Sequence, residues 1–370
     1  MLYRLRASAL CLTLLACGTS SVASPEAGAP VDANDASTVD APISDAGGVR
    51  SWIDTHAHPV GIHSECSTQA CVDAVVATMD KYGARRAIFI HPPSPANNPH
   101  SGGESLIHTS VQLRPDRFFL GVGGSDLNSR IQATAGLENV TTDARNAFAT
   151  NVSQLLAGSG AVVIGETAAL HLSYEAAHPF EQISPTSTLF KDLADLAAAA
   201  DVPIDFHVDA VKQTMPLPTF YVGKSPNNPA QIEGNMDAFS ALLAYNRKAR
   251  FVWAHVGRDT TGDMSAPLVD AMLAANENLF IQIHAVFLPL QSSQAIVDGD
   301  SNVQAEWLEL LKKYPDRAVI GSDSFFNGTE DNDAKSLTQM QQFLQRLPAD
   351  LAQRIGCDNP VRIYRLSGGC

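Results

Sequence analysis

Eight short, apolar, β-rich runs punctuate the chain between residues 52 and 323. They are Trp52–His58, Arg86–His91, Phe118–Gly123, Val162–Thr167, Pro203–Val208, Arg250–His255, Leu279–His284 and Ala318–Asp323. Several are apolar without alternation, the pattern of strands covered on both faces. Amphipathic segments separate them, among them 70–81, 142–157, 186–200, 236–248, 266–276 and 303–314. Strands alternating with helical patterns imply βαβ units and a parallel sheet. Eight such units imply an α/β fold of the (β/α)8 barrel type. A doubly wound open sheet is the competing arrangement.

In such a barrel, functional side chains stand at the C-terminal ends of the strands. Here the run ends are rich in His, Glu and Asp. The first ends Asp54-Thr55-His56-Ala57-His58, the fourth Ile164-Gly165-Glu166-Thr167 and the fifth Phe206-His207. The sixth ends Trp253-Ala254-His255 and the eighth Gly321-Ser322-Asp323. Side chains two apart on a strand share a face, so His56 and His58 both point into the barrel mouth. Asp54 shares that face one layer deeper, where it could orient a ligand imidazole. Four imidazoles and two carboxylates around one mouth are costly to bury without compensation. A divalent metal, one or two ions, supplies it. Nitrogen and carboxylate donors suit Zn²⁺, with Mn²⁺, Fe²⁺ or Ni²⁺ as alternatives.

Other residues are candidates for the substrate. Arg258, three residues past His255, offers a planar fork for a carboxylate or phosphate. His91 and His284 end the second and seventh runs and either contact substrate or cap the rim. The long segments 92–103, 209–235 and 285–301 are expected to wall the pocket, with Tyr221 and Lys224 as contacts. His63, His100, His108, His171 and His178 read as surface or loop residues.

This pattern resembles the amidohydrolase superfamily: His-x-His on strand 1, an acidic residue on strand 4, His on strands 5 and 6, and Asp on strand 8. The resemblance spans residues 51–370. It implies that His56, His58 and Asp323 hold a first metal, that His207 and His255 hold a second, and that Glu166 bridges them. It makes Asp323 the base that takes a proton from metal-activated water. The segment Asn359-Pro360-Val361-Arg362-Ile363-Tyr364 resembles the closing helix of the amidohydrolase-related branch. Ile164-Gly165-Glu166 resembles the TatD-like branch, although Thr167-Ala168-Ala169 stands where that branch has Gly-Leu-Asp. The reaction implied is metal-dependent hydrolysis of a small ester, lactone, amide or phosphoester. The alternatives are a mononuclear zinc-dependent decarboxylase of the amidohydrolase-related branch, a TatD-like nuclease, and a cell-surface metal-binding module without turnover.

The start of the chain bears on where it works. Arg4 and Arg6 precede the apolar stretch 7–16, which reads as a signal peptide over residues 1–16. Leu14-Leu15-Ala16-Cys17 resembles a bacterial lipobox, which implies cleavage before Cys17 and a lipid anchor there. Residues 17–50, rich in Ala, Ser, Pro and Asp, read as a disordered tether, leaving 51–370 as the barrel. The expected location is exported and membrane-anchored, at the outer membrane facing the periplasm or the cell surface. Export also favours disulfides, and the close pairs are Cys66–Cys71 and Cys357–Cys370. With 25 Lys+Arg against 39 Asp+Glu the net charge is −14, which argues against a nucleic-acid partner; the partner that the resemblance implies is a small-molecule substrate.

Overall fold

The structure, a computed structural model, describes residues 51–61, 64–65, 68–99, 103–286, 294–326 and 330–370. The signal peptide and tether expected over 1–50 lie outside these residues, as do Cys17, His63, Cys66 and His100. Eight parallel strands build one sheet. They are β1 (Trp52–His58), β2 (Ala84–Phe89), β3 (Phe118–Gly123), β4 (Val163–His171), β5 (Ile204–Val208), β6 (Phe251–Val256), β7 (Leu279–Ile283) and β8 (Ala318–Ile320). Each pairs in parallel with the next. The sheet closes through Ser324–Phe325, a two-residue continuation of β8 that pairs with Ala57 and His58 of β1. That closure makes the fold the expected (β/α)8 barrel and excludes the open sheet.

Helices occupy the crossovers. They are α1 (Gln69–Lys81), α2 (Gly103–Leu113), α3 (Asp126–Gln132), α4 (Thr142–Leu156), α5 (Thr188–Ala200), α6 (Met236–Tyr245), α7 (Ala266–Ala275), α8 (Ala305–Lys313) and α9 (Glu330–Arg346). Local chemistry starts several of them. The Thr68, Thr141 and Ser265 hydroxyls accept from backbone N–H groups in the first turns of α1, α4 and α7, satisfying donors that no helical carbonyl reaches. The apolar faces then pack on the sheet. Phe206 of β5, for example, meets Phe190 of α5 and Phe239 of α6 at ring separations of 4.9 and 5.2 Å. Full burial of such a side chain contributes roughly 1.5–3 kcal/mol.

The C-terminal end of the chain determines which mouth of the barrel is open. α10 (Ala349–Gln353) and α11 (Asn359–Tyr364) follow α9. Ile363, Tyr364 and Leu366 cluster inside the barrel with Ile53, Val163, Val252 and Val319, residues near the starts of their strands. The Asn359 amide donates to the Pro315 and Ala318 carbonyls, both at 2.8 Å, and so fixes this plug to the entry of β8. The plug blocks the N-terminal end and leaves the C-terminal end to the functional side chains. Cys357 and Cys370 form a disulfide beside the plug, as the spacing suggested. Cys71 is disulfide-bonded too.

Two strand ends differ from the sequence reading. β4 runs on to His171, because Leu170 and His171 pair in antiparallel fashion with Gln182 and Glu181. β8 stops at Ile320, and Asp323 lies in a bend with φ +52°.

Candidate metal centre

The open mouth gathers the six residues that the strand ends suggested. Glu166, 2 % exposed, lies at their centre. Its Oε1 is 2.6 Å from His207 Nδ1 and 3.1 Å from His255 Nε2. Its Oε2 is 3.3 Å from His56 Nε2 and 3.6 Å from His58 Nε2. The carboxylate therefore presents one oxygen to each pair of imidazoles. Asp323 closes the ring, with Oδ1 3.2 Å from His58 Nε2 and 4.0 Å from His56 Nε2.

Backbone geometry turns two of these side chains inward. His255 and Asp323 adopt left-handed conformations, φ +58° and +52°, which residues with a Cβ rarely occupy. Such conformations persist only where the surroundings enforce them, and they concentrate at functional sites. At His255 the backbone N–H donates to Gln282 Oε1 at 2.7 Å. At Asp323 the backbone N–H donates to the His56 carbonyl at 2.9 Å.

Whether a cation suits this cluster is a question of charge. His56 Nε2 and His58 Nε2 are buried with no hydrogen bond of good geometry. Ligand atoms of His56, His58 and Glu166 lie within 4.8 Å of one another, and so do those of Glu166, His207 and His255, and of His56, His255 and Asp323. Burial opposes charge on Glu166, yet the neighbouring imidazoles, His56 foremost, hold its carboxyl well below the usual range. Burial likewise opposes charge on Asp323, and His255 and His58 pull it down. Burial lowers His207, but Asp209 and Glu166 outweigh it and raise the imidazole to about 10. Protons thus occupy positions between buried carboxylates where a divalent ion would neutralise the same charge. The residues fit a metal.

The pocket above the cluster holds about 510 Å³. Arg258 lines it, donating from Nη1 to Asp323 Oδ2 at 3.2 Å while its Nε stays buried without a partner. His284 lines it as well, with Nδ1 3.9 Å from Asp323 Oδ2 and both ring nitrogens lacking hydrogen bonds. Tyr221 is a buried part of the same wall. Pro92, Pro95 and Val286 come from the long segments expected to wall the pocket.

Several expectations need correction. Lys224 does not line the pocket; it is exposed, with Nζ 5.1 Å from the centre of the Phe220 ring. His91 does not line it either, and of its two expected roles the hydrogen-bonding one is found, not substrate contact. Its ring donates to the Pro92 carbonyl at 2.6 Å, and its own backbone carbonyl accepts from Glu166 N–H, which ties it to β4. Asp54 does not orient an imidazole. Its carboxylate accepts from the N–H groups of Ser322 and His56 and ties β1 to the bend after β8. Register shifts along β1, before Ile53 and after Asp54, break the simple alternation that placed it. Asp205 instead lies behind His56, with Oδ2 3.1 Å from Nδ1. His171 ends a strand and is not a loop residue, whereas His178 lies in the loop after it, as expected, half-buried. They form a wall with Tyr174, and the His171 ring packs edge-on against His207 at 4.4 Å. The extension of β4 carries His171 there.

A closed barrel with clustered imidazoles and carboxylates at its C-terminal mouth defines a class, the metal-dependent barrel enzymes. The chain belongs to the amidohydrolase family, whose model matches residues 167–366. Among solved structures, the chain is similar to a probable 2-pyrone-4,6-dicarboxylic acid hydrolase of Acinetobacter baumannii (14% identity, 85% of this chain and 100% of that one, TM-score 0.49). It is similar to 2,6-dihydroxybenzoate decarboxylase of Rhizobium (13% identity, 86% and 100%, TM-score 0.49). It is also similar to 4-oxalomesaconate hydratase of Rhodopseudomonas palustris (12% identity, 85% and 95%, TM-score 0.47). Compared with curated proteins, it has no match.

Proposed function

We propose that this protein is a metal-dependent hydrolase of small esters, lactones, amides or phosphoesters. The observation that carries the reading is the Glu166 carboxylate, with one oxygen facing His207 and His255 and the other facing His56 and His58. A carboxylate shared in this way suits two ions. His56, His58 and Asp323 would hold one, His207 and His255 the other, and Glu166 would join them. Zinc fits the donor set best, with manganese, iron or nickel as alternatives. When bound, the metal supplies Lewis acidity towards a carbonyl or phosphoryl oxygen and a nucleophile at neutral pH.

The chain's own residues do the rest. Asp323 lines the pocket with its carboxylate beside His58 and Arg258, where it can accept a proton. Arg258 keeps Asp323 in place through Nη1, and its unpartnered Nε can receive an anionic oxygen of the substrate. His284 offers a further contact near Asp323. Tyr221 and Phe325 give the pocket apolar walls, with Tyr174 at its exposed rim.

Metal per full chain, measured by mass spectrometry after loading with Zn²⁺ or Mn²⁺, tests this reading. About two ions with hydrolysis of an ester, lactone or phosphoester panel supports it. One ion with no hydrolysis turns the assignment to the decarboxylase. Binding without turnover on any panel turns it to a metal-binding module. No binding removes the metal chemistry altogether. The proposal extends to location: the Leu-Leu-Ala-Cys sequence supports an exported lipoprotein anchored through Cys17. Cys17→Ser then moves the protein out of the membrane fraction, and retention there overturns the anchor.

A further inference from the structure

We propose that Asp205 is a positioning residue that selects which nitrogen of His56 meets the metal, and that β5 thereby serves both halves of the site. The inference rests on the metal reading above. His56 and Asp205 are both fully buried, and Asp205 Oδ2 lies 3.1 Å from His56 Nδ1. A carboxylate only accepts, so this contact keeps a proton on Nδ1. The Nε2 lone pair is then the one available to a cation. Nε2 points the right way, 3.3 Å from Glu166 Oε2 and 4.0 Å from Asp323 Oδ1. His58 obtains the equivalent support from a main-chain group, the Ile90 carbonyl, 2.9 Å from its Nδ1. Among the described residues, Asp205 is the carboxylate behind His56 on the side away from the cluster.

The surroundings of Asp205 are built to hold it. The Thr167 hydroxyl donates to its backbone carbonyl at 3.2 Å. On β4, Gly165 passes so close that a Cβ there would come within 2.6 Å of the Asp205 carbonyl oxygen and 2.8 Å of the Asp205 Cβ. The glycine leaves room for the aspartate one residue before Glu166. Two positions along β5, His207 faces Glu166 Oε1. One strand therefore orients a ligand of the first group and supplies a ligand of the second. Glu166 spans the two, so a shift of β5 is felt by both groups.

The test compares the full chain with Asp205→Asn and Asp205→Ala. Zinc affinity is read by competition with a chelator. Histidine ¹⁵N spectra of the zinc-loaded wild type report which His56 nitrogen carries the proton. Both variants should bind one zinc equivalent roughly 10- to 100-fold less tightly than the wild type, and the spectra should show the proton on Nδ1. Wild-type affinity in both variants overturns the inference and leaves the metal reading intact. A proton on His56 Nε2 overturns it as well, and that measurement needs no variant to fold. A wild-type chain that binds no zinc fails the metal reading itself. Asp205→Asn, nearly isosteric, carries the comparison if Asp205→Ala does not fold.

Discussion

Asp323 takes part in three relations at once. It faces His58 through Oδ1, it accepts from Arg258 through Oδ2, and it occupies a left-handed backbone position that aims it at the pocket. Asp323→Asn keeps the size and the acceptor oxygen but cannot take a proton at neutral pH. With metal supplied in excess, we expect kcat on the best panel substrate to fall by roughly 10²–10⁴. A fall of less than tenfold would remove Asp323 from the proton-transfer role. Glu166→Ala tests the other carboxylate. It removes the oxygens between the two imidazole pairs and leaves His207 raised by Asp209 alone. Metal content should drop from about two ions per chain towards one or none, measured by mass spectrometry. Unchanged content would mean that the imidazole pairs do not share Glu166.

At the level of strands and bends, close approach of backbones is what delivers these side chains. After β8 the chain turns at Gly321, where a Cβ would overlap Gln282 Nε2 and come within 2.6 Å of His56 Cβ. Gln282 in turn holds the His255 N–H. Gly321→Ala should therefore weaken metal binding through His56 and His255 together, although it touches no ligand. A chelator competition that shows wild-type affinity in this variant would count against that coupling. These contacts mark the limit of what the sequence reveals. The eight strands were legible because two-sided burial leaves continuous apolar runs. The six clustered residues were legible because strand ends share one mouth. Asp205 was legible in principle, since Asp205-Phe206-His207 has the same two-residue spacing as His56-Ala57-His58. An acid below the rim nevertheless reads as core polarity until its partner is known. The place of His171 is not legible, because its strand extension depends on a partner at Glu181–Gln182, ten residues on. The facing of Asp54 is not legible either, because irregular register along β1 alters which side a residue faces. Spacing within one strand is a local property; contacts between strands depend on the whole barrel.

For the molecule as a whole, the barrel concentrates buried acids, and their effects on stability oppose one another with pH. Glu166, Asp323 and Asp209 are held low by imidazoles, so each contributes stability that is lost as pH falls through its folded pKa. Any metal bound between them adds to that term, because an ion that binds only the folded state stabilises it by mass action. Glu104 works in the opposite direction and lies apart from the cluster. It stands on α2, and its Oε1 accepts from the Gly123 N–H at the end of β3, at 2.8 Å. Its Oε2 is buried with no hydrogen bond of good geometry, near the backbone N–H groups of Ser125 and Asp126. Burial raises this carboxyl from 4.5 to about 7, against the pull of the backbone donors. Below about pH 4.5 the group is protonated both folded and unfolded, and the barrel holds a neutral acid at no charge cost. Between there and pH 7 the unfolded chain releases the proton while the folded chain keeps it. Stability from this residue therefore falls as pH rises through that window and stays low above it. Glu104→Gln keeps an acceptor for Gly123 and removes the titration. Relative to wild type it should be unchanged or weaker near pH 4.5 and more stable at pH 8, by roughly 1–3 kcal/mol. Denaturant midpoints of both proteins, each saturated with metal, isolate the difference from the cluster's own titration. If the two curves stay parallel from pH 5 to pH 8, Glu104 is ionised in the folded barrel and the bond to Gly123 is that of a charged acceptor.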